Sequence, residues 1–241
     1  MDDAYESSGE FIDVLSGPAW QALRGPVRAA LHGAAASQGP FVDVGAGTGL
    51  GTRELVDACP TATILALEPS PVLRAVLLSQ VVSDPRLRER VTVMAADALG
   101  ADLPDRLGAV IAVNMIGHLT PDDRRTFWRR VGERLAPGAP LVVNLQPPAE
   151  PETIPYTTFG AVQVGSYTYE GGGAAEPAGP DMVTWRMRYR VLDADGAAVR
   201  ENTVDYRWHV LSAPDLVDEL ADAGLRGRVG PLDVVRAVRA E

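Results

Sequence analysis

An α/β fold on a doubly wound parallel sheet is what this sequence predicts, and three observations predict it. Short apolar runs recur through residues 40–146 between helix-length stretches, the alternation of a parallel sheet covered on both faces. The first run, Phe41-Val42-Asp43-Val44, opens directly into Gly45-Ala46-Gly47-Thr48-Gly49, with glycines at alternate positions. The runs that follow end in polar residues: Thr63 to Leu67 in Glu68, Val91 to Ala96 in Asp97, and Ala109 to Val113 in Asn114. Ligands of such sheets bind beyond the carboxyl ends of the strands, so these polar residues are candidates for one site.

Taken in order, residues 1–37 are expected to form two helices. One is short, Gly9 to Leu15; Pro18 opens a longer one with Trp20, Leu23, Val27 and Leu31 on one side. Leu50 to Ala58 and Pro71 to Val82 are the helices after the first two strands, and Leu141 to Leu145 is a fifth strand. Residues 147–210 break the rhythm. Pro147, Pro148 and Pro151 end the fifth strand's region, and Gly171-Gly172-Gly173 with Pro177 and Pro180 mark a flexible loop. Val183, Trp185, Met187, Tyr189 and Val191 alternate with polar residues, as do Val204, Tyr206, Trp208 and Val210. A two-residue turn at Asp195-Gly196 pairs Ala194 with Ala197, which sets Met187 opposite Val204, Trp185 opposite Tyr206 and Val183 opposite Trp208. Both apolar sets then share a face, and Arg186 meets Asp205 on the other; a slip of one residue would destroy the match. Pro214 to Ala223 is a helix ending at Gly224, followed by strands at Leu225–Val229 and Asp233–Arg239.

The ligand of the glycine loop can be narrowed. A dinucleotide fingerprint needs glycine at its sixth position, where this chain has Leu50. The pattern Asp43-x-Gly45-x-Gly47-x-Gly49 resembles motif I of the class I S-adenosylmethionine-dependent methyltransferases. Glu68 follows Gly49 by nineteen residues, where a carboxylate can accept hydrogen bonds from both hydroxyls of a ribose. The resemblance covers residues 38–146 and, more loosely, the C-terminal segment. It implies a Rossmann-like seven-stranded sheet of order 3-2-1-4-5-7-6 with strand 7 antiparallel, N-terminal helices and a β-rich insertion after strand 5. The chain is then a single domain: a helical cap at 1–37, a cofactor-binding core at 38–146, an insertion or lid at 147–210, and a C-terminal helix and strand pair at 211–241.

The resemblance also assigns cofactor roles. Gly45, Ala46, Gly47 and Gly49 admit the methionyl end, Glu68 and Pro69 hold the ribose, Asp97 and Ala98 meet the adenine, and Asn114 sits near the ammonium. Asp43 orients the loop and offsets that ammonium, through water in one arrangement. S-adenosyl-L-methionine is the implied cofactor and S-adenosyl-L-homocysteine the product. His118 lies just past the fourth strand, in Ile116-Gly117-His118-Leu119, which is similar to a segment of natural-product and sugar N-methyltransferases. An imidazole there titrates near neutrality and can take the acceptor's proton, against the alternative of a helix cap.

Composition bounds the function. The net charge of −10 offers no basic stripe for nucleic acid. All 22 basic residues are arginine, which excludes Schiff-base chemistry and a Walker-type lysine. A catalytic lysine of the metal-dependent catechol methyltransferase kind is excluded too. The single Cys59 allows no internal disulfide and no zinc cluster, so no metal is expected. No run is long enough to span a membrane, and a cytoplasmic protein is expected. Eight of the 14 aromatic residues fall in the insertion. Tyr156, Phe159, Tyr167 and Tyr169 are the expected wall of a substrate pocket, whereas the Trp185/Tyr206/Trp208 face is assigned to the insertion's own core or an oligomer contact. The strand over 199–210 has an edge on which a homodimer can form. Arg124, Arg125, Arg129 and Arg130 are spaced as a solvated helix face.

Methyl transfer to oxygen or nitrogen of a small specialised metabolite is the expected function. Two alternatives share the same site: a cyclase or rearrangement catalyst using the cofactor as support, and a non-enzymatic S-adenosylmethionine-binding protein.

Overall fold

The computed structural model describes residues 3 and 5–240. Its elements are, in order, α1 (Gly9–Ala30), β1 (Phe41–Val44), α2 (Leu50–Ala58), β2 (Ile64–Leu67), α3 (Pro71–Ser83), α4 (Pro85–Arg88), β3 (Val91–Met94), β4 (Ala109–Ala112), α5 (Pro121–Arg134), β5 (Leu141–Asn144), β6 (Ile154–Val164), β7 (Tyr167–Pro177), β8 (Met182–Leu192), β9 (Ala198–His209), α6 (Ala213–Asp222), β10 (Leu225–Val229) and β11 (Val234–Arg239). The strands form a seven-stranded sheet of order β3-β2-β1-β4-β5-β11-β10 and a four-stranded sheet of order β6-β7-β8-β9. In the larger sheet β1 to β5 are parallel, while β11 runs antiparallel to β5 and to β10. This is the expected 3-2-1-4-5-7-6 arrangement.

The central strands are buried at every position of β1, β4 and β5, as near-continuous apolar runs require. One apolar cluster, around Phe127, Trp128 and Leu135 of α5, packs one face; another, around Leu55, Leu77 and Val27, packs the other. Several helix starts carry side-chain caps, although α1 and α2 do not. Ser70, Thr120 and Ser212 accept from the backbone N–H of Leu73, Asp123 and Asp215, each with proline in the first turn.

Three local expectations are corrected. The N-terminal region is one helix, Gly9–Ala30, with Pro18 and Pro26 inside it. Each proline forfeits one backbone hydrogen bond, but Phe11, Leu15, Trp20, Leu23 and Val27 bury a continuous stripe that carries the helix across. Gly171-Gly172-Gly173 is no loop: it lies buried in the middle of β7. There a Cβ on Gly171 would stand 2.7 Å from Leu15 and Phe159 atoms, and one on Gly172 2.3 Å from the Tyr156 hydroxyl. The glycines are what lets those side chains lie flat on the sheet. The β8–β9 hairpin has the expected register through Met187↔Val204, Trp185↔Tyr206 and Val183↔Trp208, with Arg186 paired to Asp205. Its tip differs. A bulge shifts the pairing to Leu192↔Ala198, because the Asp193 carboxylate accepts from the N–H of both Asp195 and Ala197 and tightens the turn around itself.

Candidate active site: a glycine-loop crevice and an aromatic cavity

The glycine loop leaves β1 through Gly45 (φ 68°), Gly47 (φ 57°) and Gly49 (φ 103°), all in the left-handed region. The Ala46 N–H donates to the Leu67 carbonyl at 2.9 Å, so the loop is tied to the end of β2. A Cβ on Gly47 would meet nothing within 4 Å, so the main chain there faces open space. Asp43 lies buried beneath the loop and accepts from the Thr52 hydroxyl of α2 at 2.6 Å. Burial pushes its carboxyl up to about 7.

Glu68, also buried, bridges loop and helix. One carboxylate oxygen accepts from Gly47 N–H and the other from Ser70 N–H, both at 2.7 Å. Burial holds this carboxyl above the usual carboxylate range, against those two hydrogen bonds. Pro69 is exposed beside it, its carbonyl accepting from Arg74 at 2.9 Å. Asp97 sits past β3 and closes its own turn, one oxygen accepting from Leu99 and Gly100 N–H, with Ala98 buried next to it. Asn114, at the end of β4, has φ 57°. A reciprocal pair steadies it: its N–H donates to Asn144 Oδ1 and Asn144 Nδ2 donates to its Oδ1, both at 2.7 Å. Asn tolerates this conformation better than other residues with a side chain.

The donor set suits an adenosyl amino acid. Two buried carboxylates flank the loop, and the Gly47 N–H is already engaged by Glu68, so the loop is not an empty nest for phosphate. Carboxylates and amide oxygens instead favour an ammonium, ribose hydroxyls and an exocyclic amine.

His118 ends a helical turn over Ile116–His118, held by its N–H on the Met115 carbonyl. Its ring stands edge-on to Trp208, with centroids 4.9 Å apart. Nε2 lies 2.8 Å from the Tyr5 hydroxyl. Burial raises the Tyr5 phenol well above its ordinary value and lowers the His118 imidazole, so the phenol donates to a neutral ring. Asp3, beside Tyr5, accepts from the Ser70 hydroxyl, and Ser8 bonds the Tyr206 hydroxyl. The N-terminal segment thus reaches both Glu68's neighbour and His118.

A cavity of about 430 Å³ opens beside Asn114 and His118. Leu50, Asn114, His118, Gln146 and Pro147 form its floor at the strand ends. Phe11, Leu15 and Trp20 of α1 form one side, and Trp185, Met187, Tyr189, Tyr206 and Trp208 of the smaller sheet form the other. Of the four aromatics expected on the pocket wall, Phe159 is there. Tyr156 and Tyr167 are exposed away from it, and Tyr169 packs on Phe11 at 5.7 Å between ring centroids. The Trp185/Tyr206/Trp208 face, assigned to the insertion's core, lines the cavity, while Trp185 and Trp208 also pack on Val183 and Val210. Tyr5, Asn144, Gln146 and the α1 stripe were not among the candidates. The expected helical cap at 1–37 pointed to α1, though none of its residues was named for the pocket; the apolar spacing of Phe11, Ile12, Leu15 and Ala19 is the pattern that marks that face. Arg124 is no solvated residue: it is buried and bonds Glu219 at 2.9 Å.

Residues 41–138 match a family profile described as a methyltransferase domain. A search of curated protein sequences finds no match. Among solved structures, Streptomyces venezuelae DesVI aligns at a TM-score of 0.73 and 17% identity, over 96% of each chain. CcbJ methyltransferase from Streptomyces caelestis aligns at 0.72 and 21%, over 100% of this chain and 99% of that one. CalS10, an amino pentose methyltransferase from Micromonospora echinaspora solved with S-adenosylmethionine, aligns at 0.69 and 22%, over 100% and 98%. Residues 41–138 are thus similar to a methyltransferase domain, and the whole chain shares the fold of these solved methyltransferases.

Proposed function

We propose that the protein methylates an oxygen or nitrogen atom of a small specialised metabolite. Its support is one observation: Leu50, the residue after the glycine loop, and Asn114, just past β4, line the same cavity as His118 and the aromatic walls. CalS10 is described as acting on an amino pentose in calicheamicin biosynthesis and KedS8 as a sugar N-methyltransferase, which favours a specialised-metabolite acceptor here.

S-adenosylmethionine, when bound, supplies a methyl group already activated on a sulfonium and departs as S-adenosylhomocysteine. In this proposal the main chain at Gly45, Ala46, Gly47 and Gly49 admits it, with Asp43 and Asn114 near its ammonium. Glu68 and Pro69 face the ribose; Asp97 and Ala98 face the adenine. The chain's remaining task is to position the acceptor, exclude water and remove a proton. α1 and the smaller sheet exclude water. His118 Nε2 takes the proton once an acceptor O–H or N–H replaces the Tyr5 hydroxyl as its hydrogen-bond donor, so Tyr5 guards the base until then.

Incubation with S-adenosylmethionine and a panel of hydroxylated and amino metabolites should give a product heavier by one CH₂, with S-adenosylhomocysteine formed in equal amount. Product formation without cofactor consumption would defeat the proposal.

A further inference from the structure

We infer that the acceptor is a neutral, ring-bearing, mostly apolar molecule that carries no phosphate, seated between α1 and the inner face of the β6–β9 sheet. This rests on the methyl-transfer reading of the site. A cavity of about 430 Å³ is in the range that encloses most of a drug-sized molecule, larger than one sugar ring needs. Its walls are rings and thioether: Trp185, Trp208, Phe11, Phe159 and Met187. Polar side chains lie at the strand-end floor, on Asn114, His118 and Gln146, and on the walls at Ser16, Tyr189 and Tyr206, where the Tyr206 hydroxyl is bonded to Ser8. An acceptor matching this has a flat apolar body and one polar atom directed at the floor.

Charge placement excludes an anionic handle. Among the described residues, no arginine and no carboxylate lines the cavity. Strand parity explains why. Trp185, Met187 and Tyr189 point inward on β8, so the intervening Arg186, Arg188 and Arg190 point outward, where Asp205, Glu201 and Glu170 pair them. On β9, Arg207 alternates with the inward Tyr206 and Trp208 in the same way. Arg200 shares the inner parity, but it sits over the Phe11 ring and is held by Glu10 at 2.7 Å. A phosphate or pyrophosphate in this cavity would be buried without a cation, which is costly. The chain's net charge of −10 repels such a ligand further.

Three probes of one shape and different charge test this: 2-naphthol, 2-naphthyl phosphate and 2-naphthylmethylamine. Each is titrated at pH 7 into the full chain with S-adenosylhomocysteine present, following tryptophan fluorescence. S-adenosylhomocysteine binding is measured separately by its heat. The expected result is saturable quenching by 2-naphthol that is insensitive to salt, with the phosphate and the ammonium at least about tenfold weaker. Trp208→Leu and Trp185→Leu should each weaken 2-naphthol while leaving the heat of S-adenosylhomocysteine intact, which separates a lost wall from a lost fold. Equal or tighter binding of the phosphate, especially if salt or Arg200→Ala removes it, overturns the inference. So does equal or tighter binding of the ammonium, or the failure of all three probes while S-adenosylhomocysteine still binds. If S-adenosylhomocysteine gives no heat but 2-naphthol binds, methyl transfer falls and the cavity's preference stands.

Discussion

Burial beneath the glycine loop pushes Asp43 up to about 7 against its hydrogen bond from Thr52, and the nearby Glu68 carboxylate adds to the rise. A raised carboxyl pKa means the folded chain binds a proton the unfolded chain has released. The stability this group contributes is complete below its ordinary value of 3.8 and lost as pH climbs to about 7. The ligand-free melting temperature should therefore carry a downward component between pH 5 and 7, at most about 1.4 kcal/mol per pH unit. Asp43→Asn should flatten it and weaken S-adenosylhomocysteine, both readable by a thermal shift; an unchanged pH profile would count against a buried neutral Asp43. His118 shifts the other way. Burial lowers its pKa, so it stays an unprotonated base somewhat below the ordinary imidazole range. His118→Ala should lower kcat by about 10²–10⁴, with the heat of S-adenosylhomocysteine unchanged. Loss of cofactor binding in that variant would assign the residue to the crevice instead.

Trp208 owes its seat to an element boundary. A Cβ on Gly117 would lie 1.9 Å from Trp208 Cε2, so the turn before His118 and strand β9 approach only because residue 117 is glycine. Gly117→Ala should push Trp208 off, costing about 1–3 kcal/mol and lowering acceptor affinity more than cofactor affinity. Retained acceptor affinity would show the turn can shift freely. At this scale the sequence was informative where local chemistry decides. Pro71 marked the start of α3, and period-two alternation set the register of β8 and β9. It misled where a neighbour decides. Gly171 to Gly173 have the composition of a loop, and only Leu15, Phe159 and Tyr156 lying against them make them strand.

Two apolar clusters sandwich the larger sheet, whereas the smaller sheet rests on satellite clusters around Phe11 with Tyr189 and around Val183 with Val210. Amide hydrogen exchange should accordingly be slower in β1, β4 and β5 than in β6 to β9; uniform protection would mean one cooperative unit. α1 belongs to both halves. Its C-terminal part is tied to α2 by Arg24 and Arg28 on the buried Glu54, while its N-terminal part packs on the smaller sheet. Arg124 joins α5 to α6 through Glu219, which also accepts from Trp128 Nε1 at 3.0 Å. Arg124→Ala leaves that carboxylate unpaired and should cost about 3–5 kcal/mol, measured by denaturant unfolding. A cost under about 1 kcal/mol would mean solvent reaches the pair.

The sequence by itself determined which segments become the strands of the larger sheet and which strand ends carry polar residues, while the strand order was what the resemblance implied. Apolar runs, the glycines after β1 and the polar residues ending β2, β3 and β4 are local features, and a parallel sheet brings strand ends to one edge whatever the rest does. Only the tertiary structure decided what faces that edge. Whether Trp208 lines a cavity or fills a core, whether Arg124 meets water or Glu219, and whether Tyr5 reaches His118 depend on where a second sheet and a long helix come to rest. That placement is set by packing between residues far apart in the chain, which no local pattern records.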